Sequence, residues 1–191
     1  EGNRAVEEFK DYLRDLIARK RRAPPAAQGH DVLWALIEAS EGGDGLTELE
    51  ILHNSIFMLN AGHDTTGALI ANGVDLLCRH PDQARRLRES PELIKSAIEE
   101  MLRYESPLQI GNRRATDPVR IGGEILPAGT FFHLAIAAAN RDERAFPDPE
   151  RFDIARTPNR HLAFAHGIHT CAGHSVARIE EGVISSDGRW L

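Results

Sequence analysis

Apolar residues recur at intervals of three or four near the start of the chain, at Val6, Phe9, Leu13, Leu16 and Ile17. This spacing predicts an amphipathic helix over residues 4–21. A linker that contains two prolines follows at residues 23–29. A second, short helix is predicted from Asp31 to Ser40, ended by Gly42-Gly43.

The next helix begins with a complete start signal. Thr47 and Glu50 form a capping box, and Leu46 and Ile51 stand at the hydrophobic staple positions. Because no proline follows before Pro81, the pattern predicts a helix of about 33 residues, against a mean of about 11–12. Its largely apolar composition indicates that it runs through a core. Three glycines lie inside it, at Gly62, Gly67 and Gly73. Each disfavours the helix by about 1 kcal/mol relative to alanine, which predicts close approach by another group.

Short strands follow the helices in the second half of the chain. Residues 91–104 keep a helical period, whereas residues 119–126 alternate around a Gly-Gly pair and predict a hairpin. Residues 130–138 predict a further strand. Residues 140–160 have no periodicity and predict a long ordered coil, which usually serves a function. The predicted fold is therefore mainly α-helical with small β-hairpins around a long central helix.

Composition narrows the class of protein. The 191 residues suit one domain, and 41% hydrophobic with 27% charged residues is typical of globular proteins. A net charge of -6 gives no support for nucleic-acid binding. No stretch reaches the roughly 18 apolar residues of a membrane span, so no membrane association is expected. Two cysteines, Cys78 and Cys171, form no disulfide framework, which favours the cytoplasm.

Cys171 is a candidate centre of chemistry. It lies in the stretch FAHGIHTCAG, just before a predicted helix, whose N-terminus would stabilise a thiolate. Gly167 and Gly173 would let the backbone turn and approach a flat ligand. Two other interpretations stay open at this point. One is a buried cysteine beside a turn, and the other is a zinc site with ligands from Cys171, His166, His169 and His174, although this spacing matches no common structural zinc pattern.

A second candidate is the stretch AGHDTTG, residues 61–67, in the middle of the long helix. Thr65 can bond back to the carbonyl of Ala61 and locally open the helix. That would leave the Asp64 carboxylate and the Thr65 hydroxyl side by side, an arrangement suited to relaying protons. The alternative is that Asp64 caps a second helix after a break at Gly62.

A third candidate is the pair Glu100 and Arg103, three residues apart on one helix flank. The ordinary interpretation is an exposed ion pair that contributes about 0.2–0.5 kcal/mol. Arg151, in the motif PERF of the irregular stretch, could instead extend the pair into a network.

Together these motifs closely resemble the cytochrome P450 family, the haem-thiolate monooxygenases. Residues 164–178 match its FxxGxHxCxGxxxAR signature, and residues 61–66 match its oxygen-activation motif. Glu100–Arg103 matches the ExxR motif, and Pro149–Phe152 matches the meander. The resemblance covers at least residues 31–183 and implies the P450 fold. Residues 1–191 would form a partial P450 domain that lacks the N-terminal part of the family's fold, with residues 184–191 as a candidate non-native tail.

The resemblance also implies roles for individual residues. Cys171 would be the axial thiolate ligand to the iron of haem b. Asp64 and Thr65 would be the catalytic acid–alcohol pair that delivers protons to dioxygen. Glu100, Arg103 and Arg151 would form a structural triad. The remaining cofactor-binding residues would be Phe164 on the proximal face, Arg113 and His169 at the propionates, and Gly173, Ala61 and Ala177.

The function implied by the resemblance is a monooxygenase that inserts one atom of dioxygen into an apolar organic substrate. Its electrons would come from a ferredoxin-like or flavoprotein donor in the cytoplasm. The alternative from a different class is a haem-binding sensor or carrier without turnover, which would not require Asp64 and Thr65.

Overall fold

A computed structural model describes residues 2–24, 29, 31–40 and 45–186 of the chain. Helix α1 (Gly2–Arg22) and helix α2 (Val32–Glu38) confirm the first two predicted helices. Asp31 caps α2, because its side chain accepts a hydrogen bond from the backbone N–H of Trp34 at 2.9 Å. The predicted Gly42-Gly43 stop lies outside the described residues.

Helix α3 (Glu48–Arg79) is 32 residues long and confirms the central helix. The capping box forms as predicted, with the Thr47 N–H donating to Glu50 Oε2 at 2.8 Å and the Glu50 N–H donating to Thr47 Oγ1 at 3.3 Å. The helix is unbroken through residues 61–67, so the alternative break at Gly62 is wrong. The predicted local opening at Thr65 stays a prediction. A Cβ atom added at Gly62 or Gly67 would meet nothing within 4 Å among the described residues, so no part of the described chain requires these glycines.

The second half of the chain contains short helices and two small antiparallel sheets. The helices are α4 (Pro81–Glu89), α5 (Ile94–Tyr104), α6 (Ile136–Ala139) and α7 (His174–Ser186), with 3₁₀ turns at Pro91–Leu93 and Gly167–His169. The strands are β1 (Ile110–Arg114), β2 (Val119–Ile121), β3 (Glu124–Leu126) and β4 (Phe131–Ala135). Strand β1 pairs with β4, and β2 pairs with β3 as the predicted hairpin.

Two local predictions differ from the structure in this region. The strand predicted over residues 130–138 ends at Ala135, because residues 136–139 turn into α6. Strand β1 was not predicted, since its sequence IGNRR has no alternation of apolar and polar residues. Helix α7 runs to Ser186, past the expected break at residue 184. The candidate tail at residues 187–191 lies outside the described residues and stays a prediction.

The chain divides into two compact units, residues 1–61 and 62–191, each with its own core. In the first unit, Leu13 and Ile17 of α1 pack with Ile37 of α2 and with Ile51 and Leu52 of α3. In the second unit, the core is formed by α3, α4, α5 and the coil after α6. Its buried members include Leu69, Leu76, Leu87, Ile98, Met101, Phe152 and Ile154.

Residues 140–160 contain no helix or strand, as predicted, and the coil continues to residue 166. Its buried side chains Phe152 and Ile154 anchor it on the core of the second unit, and the ring centroid of Phe146, which is also buried, lies 5.4 Å from the Arg103 guanidinium carbon. Among the described residues, no helix is both long and apolar enough to cross a membrane.

Candidate functional site

Cys171 lies in a tight turn between the 3₁₀ turn Gly167–His169 and the start of α7, and it is exposed. Its backbone N–H donates to the carbonyl of Phe164 at 2.9 Å, which closes the loop. The loop needs two residues with positive φ, Ala165 at 57° and Gly167 at 69°. The turn therefore presents the thiol outward from a fixed backbone, and the interpretation of Cys171 as a buried cysteine is wrong.

The predicted cofactor-binding residues near Cys171 occupy different surroundings. Phe164 is half-buried and packs against the core of the second unit. Ala177 is half-buried on the first turns of α7, whereas His169 is exposed. A Cβ atom at Gly173 would lie 4.0 Å from the Cys171 Sγ atom, so a side chain there would begin beside the thiol.

The zinc interpretation of this loop is wrong for the part of the chain that the structure describes. Within that part, which includes all four proposed ligands, no group of three or more His, Cys, Asp or Glu side chains is arranged to hold a metal ion. Four-coordinate sites need such a convergent set. The loop therefore supplies one sulfur donor and no protein ligand cage.

The other predicted site residues lie on separate elements. Ala61, Asp64 and Thr65 are exposed on α3, and the unbroken helix fixes their spacing. Arg113 is half-buried on β1 opposite Phe132, and its Nη1 donates to the Asn112 carbonyl at 2.8 Å. No hydrogen bond or ion pair described for residues 45–186 joins Asp64, Arg113 or His169 to Cys171.

Glu100 and Arg103 form a fully buried ion pair on α5, so the interpretation of an exposed pair is wrong. The Arg103 Nε and Nη2 atoms donate to the two carboxylate oxygens of Glu100 at 2.8 and 2.9 Å. The guanidinium also donates to three backbone carbonyls, those of Asn140, Pro149 and Arg151, at 2.9 to 3.2 Å. The pair thus ties α5 to the long coil.

Arg151 does not complete this network with its side chain, which corrects the prediction from PERF. Its side chain is 65% exposed, and only its backbone carbonyl meets Arg103. The residue that completes the network is Arg156, which sequence reasoning missed. The Arg156 Nε atom lies 3.1 Å from both oxygens of Glu100, and its side chain is only 10% exposed.

This correction predicts that two arginines five residues apart contribute very differently to the free energy of unfolding. Arg156→Ala removes a partner of a buried carboxylate and donors to the carbonyls of Pro147, Asp148 and Arg151. We expect it to lower the free energy of unfolding by about 3–5 kcal/mol, the usual effect of breaking a buried pair. Arg151→Ala is the matched control and should stay within about 0.5 kcal/mol. Urea unfolding of both variants measures the difference, and equal effects would contradict the assignment.

Comparison with known proteins identifies the family of this chain. The profile of the cytochrome P450 family matches residues 1–186. Cytochrome P450 107B1 of Saccharopolyspora erythraea is 48% identical over 171 residues, which cover 89% of this chain and 41% of the relative. The vitamin D(3) 25-hydroxylase of Pseudonocardia autotrophica is 43% identical over 180 residues, 93% of this chain and 44% of the relative.

A solved structure is similar over almost the whole chain. The crystal structure of CYP109E1 from Bacillus megaterium in complex with testosterone superposes with a TM-score of 0.90 at 38% identity, covering 97% of this chain and 51% of that one. The chain belongs to the cytochrome P450 family, and its fold is the P450 fold. It spans about half the length, or less, of the relatives it matches.

Haem b is the cofactor of this family, and the residues of the Cys171 loop fit it. Haem-thiolate proteins need one cysteine sulfur with an open face. The loop supplies an exposed thiol and a backbone held by the hydrogen bond to the Phe164 carbonyl. It also has glycines at positions 167 and 173, which carry no side chain that would obstruct a flat ligand. The N-terminus of α7 adds the positive end of a helix dipole next to the sulfur.

Proposed function

We propose that the full-length protein that contains residues 1–191 is a haem-thiolate monooxygenase, which inserts one atom of dioxygen into an apolar organic substrate. The observation that carries this proposal is the outward-facing Cys171 thiol on a closed loop before α7 in a chain of the P450 family. Cys171 would hold the iron, and the remaining contacts would come from the residues already named for the cofactor.

The haem, when bound, supplies an iron centre whose thiolate ligand favours O–O cleavage. The chain's own residues would hold that group. Arg113 and His169 would bind its two carboxylates, because a carboxylate accepts charge-assisted hydrogen bonds, which are stronger than those between neutral groups. Phe164 would cover the face of the haem on the side of Cys171. The small residues Gly173, Ala177 and Ala61 would allow the haem to approach the backbone closely.

Asp64 and Thr65 would handle the protons of the reaction. Both lie on α3 next to Gly62 and Gly67, where a Cβ atom would meet nothing within 4 Å of the described chain. The carboxyl oxygens of Asp64 can accept hydrogen bonds from water, since the residue is exposed. The Thr65 hydroxyl both donates and accepts hydrogen bonds, so it can hold the next proton in line.

Asp64→Asn is the variant that tests this relay. In the full-length protein we expect product formation to fall by about 10²–10⁴-fold, the usual contribution of a general acid or base, while haem content and substrate affinity stay unchanged. Asp75→Asn, an exposed aspartate on the same helix, is the matched control and should keep full turnover. Equal turnover in both variants would remove Asp64 from the mechanism. A haem-loaded, unmutated protein without any turnover would instead favour the haem sensor or carrier.

The substrate class and electron donor are part of the same proposal. One relative is named for hydroxylation of vitamin D(3), and one similar structure holds testosterone, which supports a bulky apolar substrate. Electrons would come from a separate ferredoxin-like or flavoprotein donor in the cytoplasm. Reconstitution of turnover with each type of donor distinguishes the two.

A further inference from the structure

A small cavity of about 270 Å³ lies behind the Cys171 loop, between α5, α7 and the coil. Its walls include Phe164 and four polar or charged side chains, those of Glu99, His161, His174 and Arg178. None of these four has a role among the expected haem ligands or proton carriers. Their contacts form a continuous path from α5 to the backbone of Cys171.

The path begins at Glu99 on α5. Both of its carboxylate oxygens accept hydrogen bonds from Arg178 on α7, one from Nε and one from Nη2, the latter at 2.9 Å. The Nε2 atom of His161 lies 2.9 Å from Glu99 Oε2. The Ala163 N–H donates to His161 Nδ1 at 3.2 Å, so Nε2 carries the ring proton and donates to Glu99.

The charge state of Glu99 agrees with this geometry. Burial raises the pKa of a carboxyl group, but the hydrogen bonds from Arg178 and His161 outweigh it and lower the pKa of Glu99 to about 2. Glu99 is therefore ionised at neutral pH, and its pair with Arg178 is bidentate, which fixes direction as well as distance.

Arg178 continues the path to Phe164. Its guanidinium carbon lies 4.5 Å from the centroid of the Phe164 ring, within the range of a cation–π contact. The Phe164 carbonyl in turn accepts the hydrogen bond of the Cys171 N–H at 2.9 Å. A fixed Arg178 guanidinium therefore restrains the ring of Phe164, and the backbone of Phe164 in turn holds the backbone of Cys171.

Glu99 and Glu100 are neighbours in sequence but serve different partners. One residue of an α-helix turns by about 100°, so the two side chains leave α5 in different directions. Glu100 is fully buried and bonds to Arg103 and Arg156, which hold the coil. Glu99 faces α7 instead.

We propose that Glu99 is a positioning residue for the cysteine ligand: through Arg178 and Phe164 it fixes the backbone of Cys171 and keeps the thiolate aligned for the iron. The alignment to iron rests on the proposed function, whereas the ordering of the Cys171 backbone does not. The Glu99–Arg178 ion pair thus joins α5 to α7 and also orders the backbone of Cys171.

Glu99→Gln tests the proposal, with Glu180→Gln, an exposed glutamate on α7, as the matched control. The first readout is hydrogen exchange at the Cys171 amide in the full-length protein, which needs no haem. We expect exchange to become about tenfold faster in Glu99→Gln, which corresponds to about 1.4 kcal/mol, and to stay unchanged in Glu180→Gln.

The second readout is the share of bound haem whose ferrous–carbonyl complex has the strongly red-shifted Soret band of thiolate ligation. We expect Glu99→Gln to lower this share at equal haem content. Arg178→Lys keeps the charge but loses the bidentate geometry, and it should shift both readouts in the same direction even if Glu99→Gln folds poorly. Unchanged amide exchange in Glu99→Gln and Arg178→Lys, with only a lower melting temperature, would overturn the proposal. Faster exchange without any red-shifted band in the unmutated protein would instead contradict the proposed function and leave the backbone role standing.

Discussion

Replacing Glu100 with alanine is expected to abolish most of the folded protein. The carboxylate is fully buried and accepts hydrogen bonds from Arg103, Arg156, Asn159 and the backbone N–H of Asp153, at 2.8 to 3.1 Å. Its removal leaves Arg103, also fully buried, as an uncompensated charge. Breaking such a pair costs about 3–5 kcal/mol, while a whole domain has only about 5–15 kcal/mol of stability.

The measurement is the yield of soluble protein together with its unfolding curve in urea. Glu89→Ala, a glutamate at the exposed end of α4, is the matched control and should change the free energy of unfolding by no more than about 0.5 kcal/mol. A Glu100→Ala variant with the yield and stability of this control would show that the buried network does not hold the coil.

Cys171→His is expected to retain haem and lose monooxygenation. Imidazole also binds iron, so the cofactor can stay, but a neutral histidine lacks the electron push of a thiolate. The turn itself tolerates the exchange, because the hydrogen bond that closes it uses the Cys171 backbone N–H and not the side chain. We expect turnover at background level with haem bound, measured as product formed per haem.

Cys78→Ser is the matched control for this variant. Cys78 is the only other cysteine of the sequence, and it is exposed near the C-terminal end of α3, outside the signature. Turnover of Cys78→Ser should equal that of the unmutated protein. Turnover that survives in Cys171→His would mean that another side chain holds the iron.

Local rules were sufficient for much of the fold. The capping box at Thr47 and the absence of proline up to Pro81 predicted α3, because both signals act within one helix. The Gly122-Gly123 hairpin was predicted for the same reason. The strand predicted over residues 130–138 was too long, because the periodicity of a short apolar run does not distinguish a strand from a helix.

Burial of the Glu100–Arg103 pair could not be predicted from spacing. An exposed pair and a buried pair have the same three-residue separation. The buried pair differs because Arg103 also donates to the backbone carbonyls of residues 140, 149 and 151, which are distant in sequence. The choice between Arg151 and Arg156 depends on how the coil turns after Pro149, which no periodic pattern encodes. Spacing alone also gave no reason to treat Glu99 differently from Glu100.

The sequence predicted a cysteine just before a helix, and the structure places Cys171 before α7. The role of Cys171 as a ligand to iron stays a prediction. Asp64 and Thr65 are exposed on α3, which runs without a break through residues 61–67. The path through Glu99, Arg178 and Phe164 joins residues up to 79 positions apart, so only the folded chain reveals it.

The central claim is that Cys171 binds haem iron as a thiolate in the full-length protein. Its most direct test is one carbon monoxide difference spectrum of the reduced, haem-loaded protein. The account predicts a strongly red-shifted Soret band, which thiolate ligation produces and ligation by a neutral histidine or thiol does not. A Soret band at the ordinary position of histidine-ligated haem would contradict the haem-thiolate assignment.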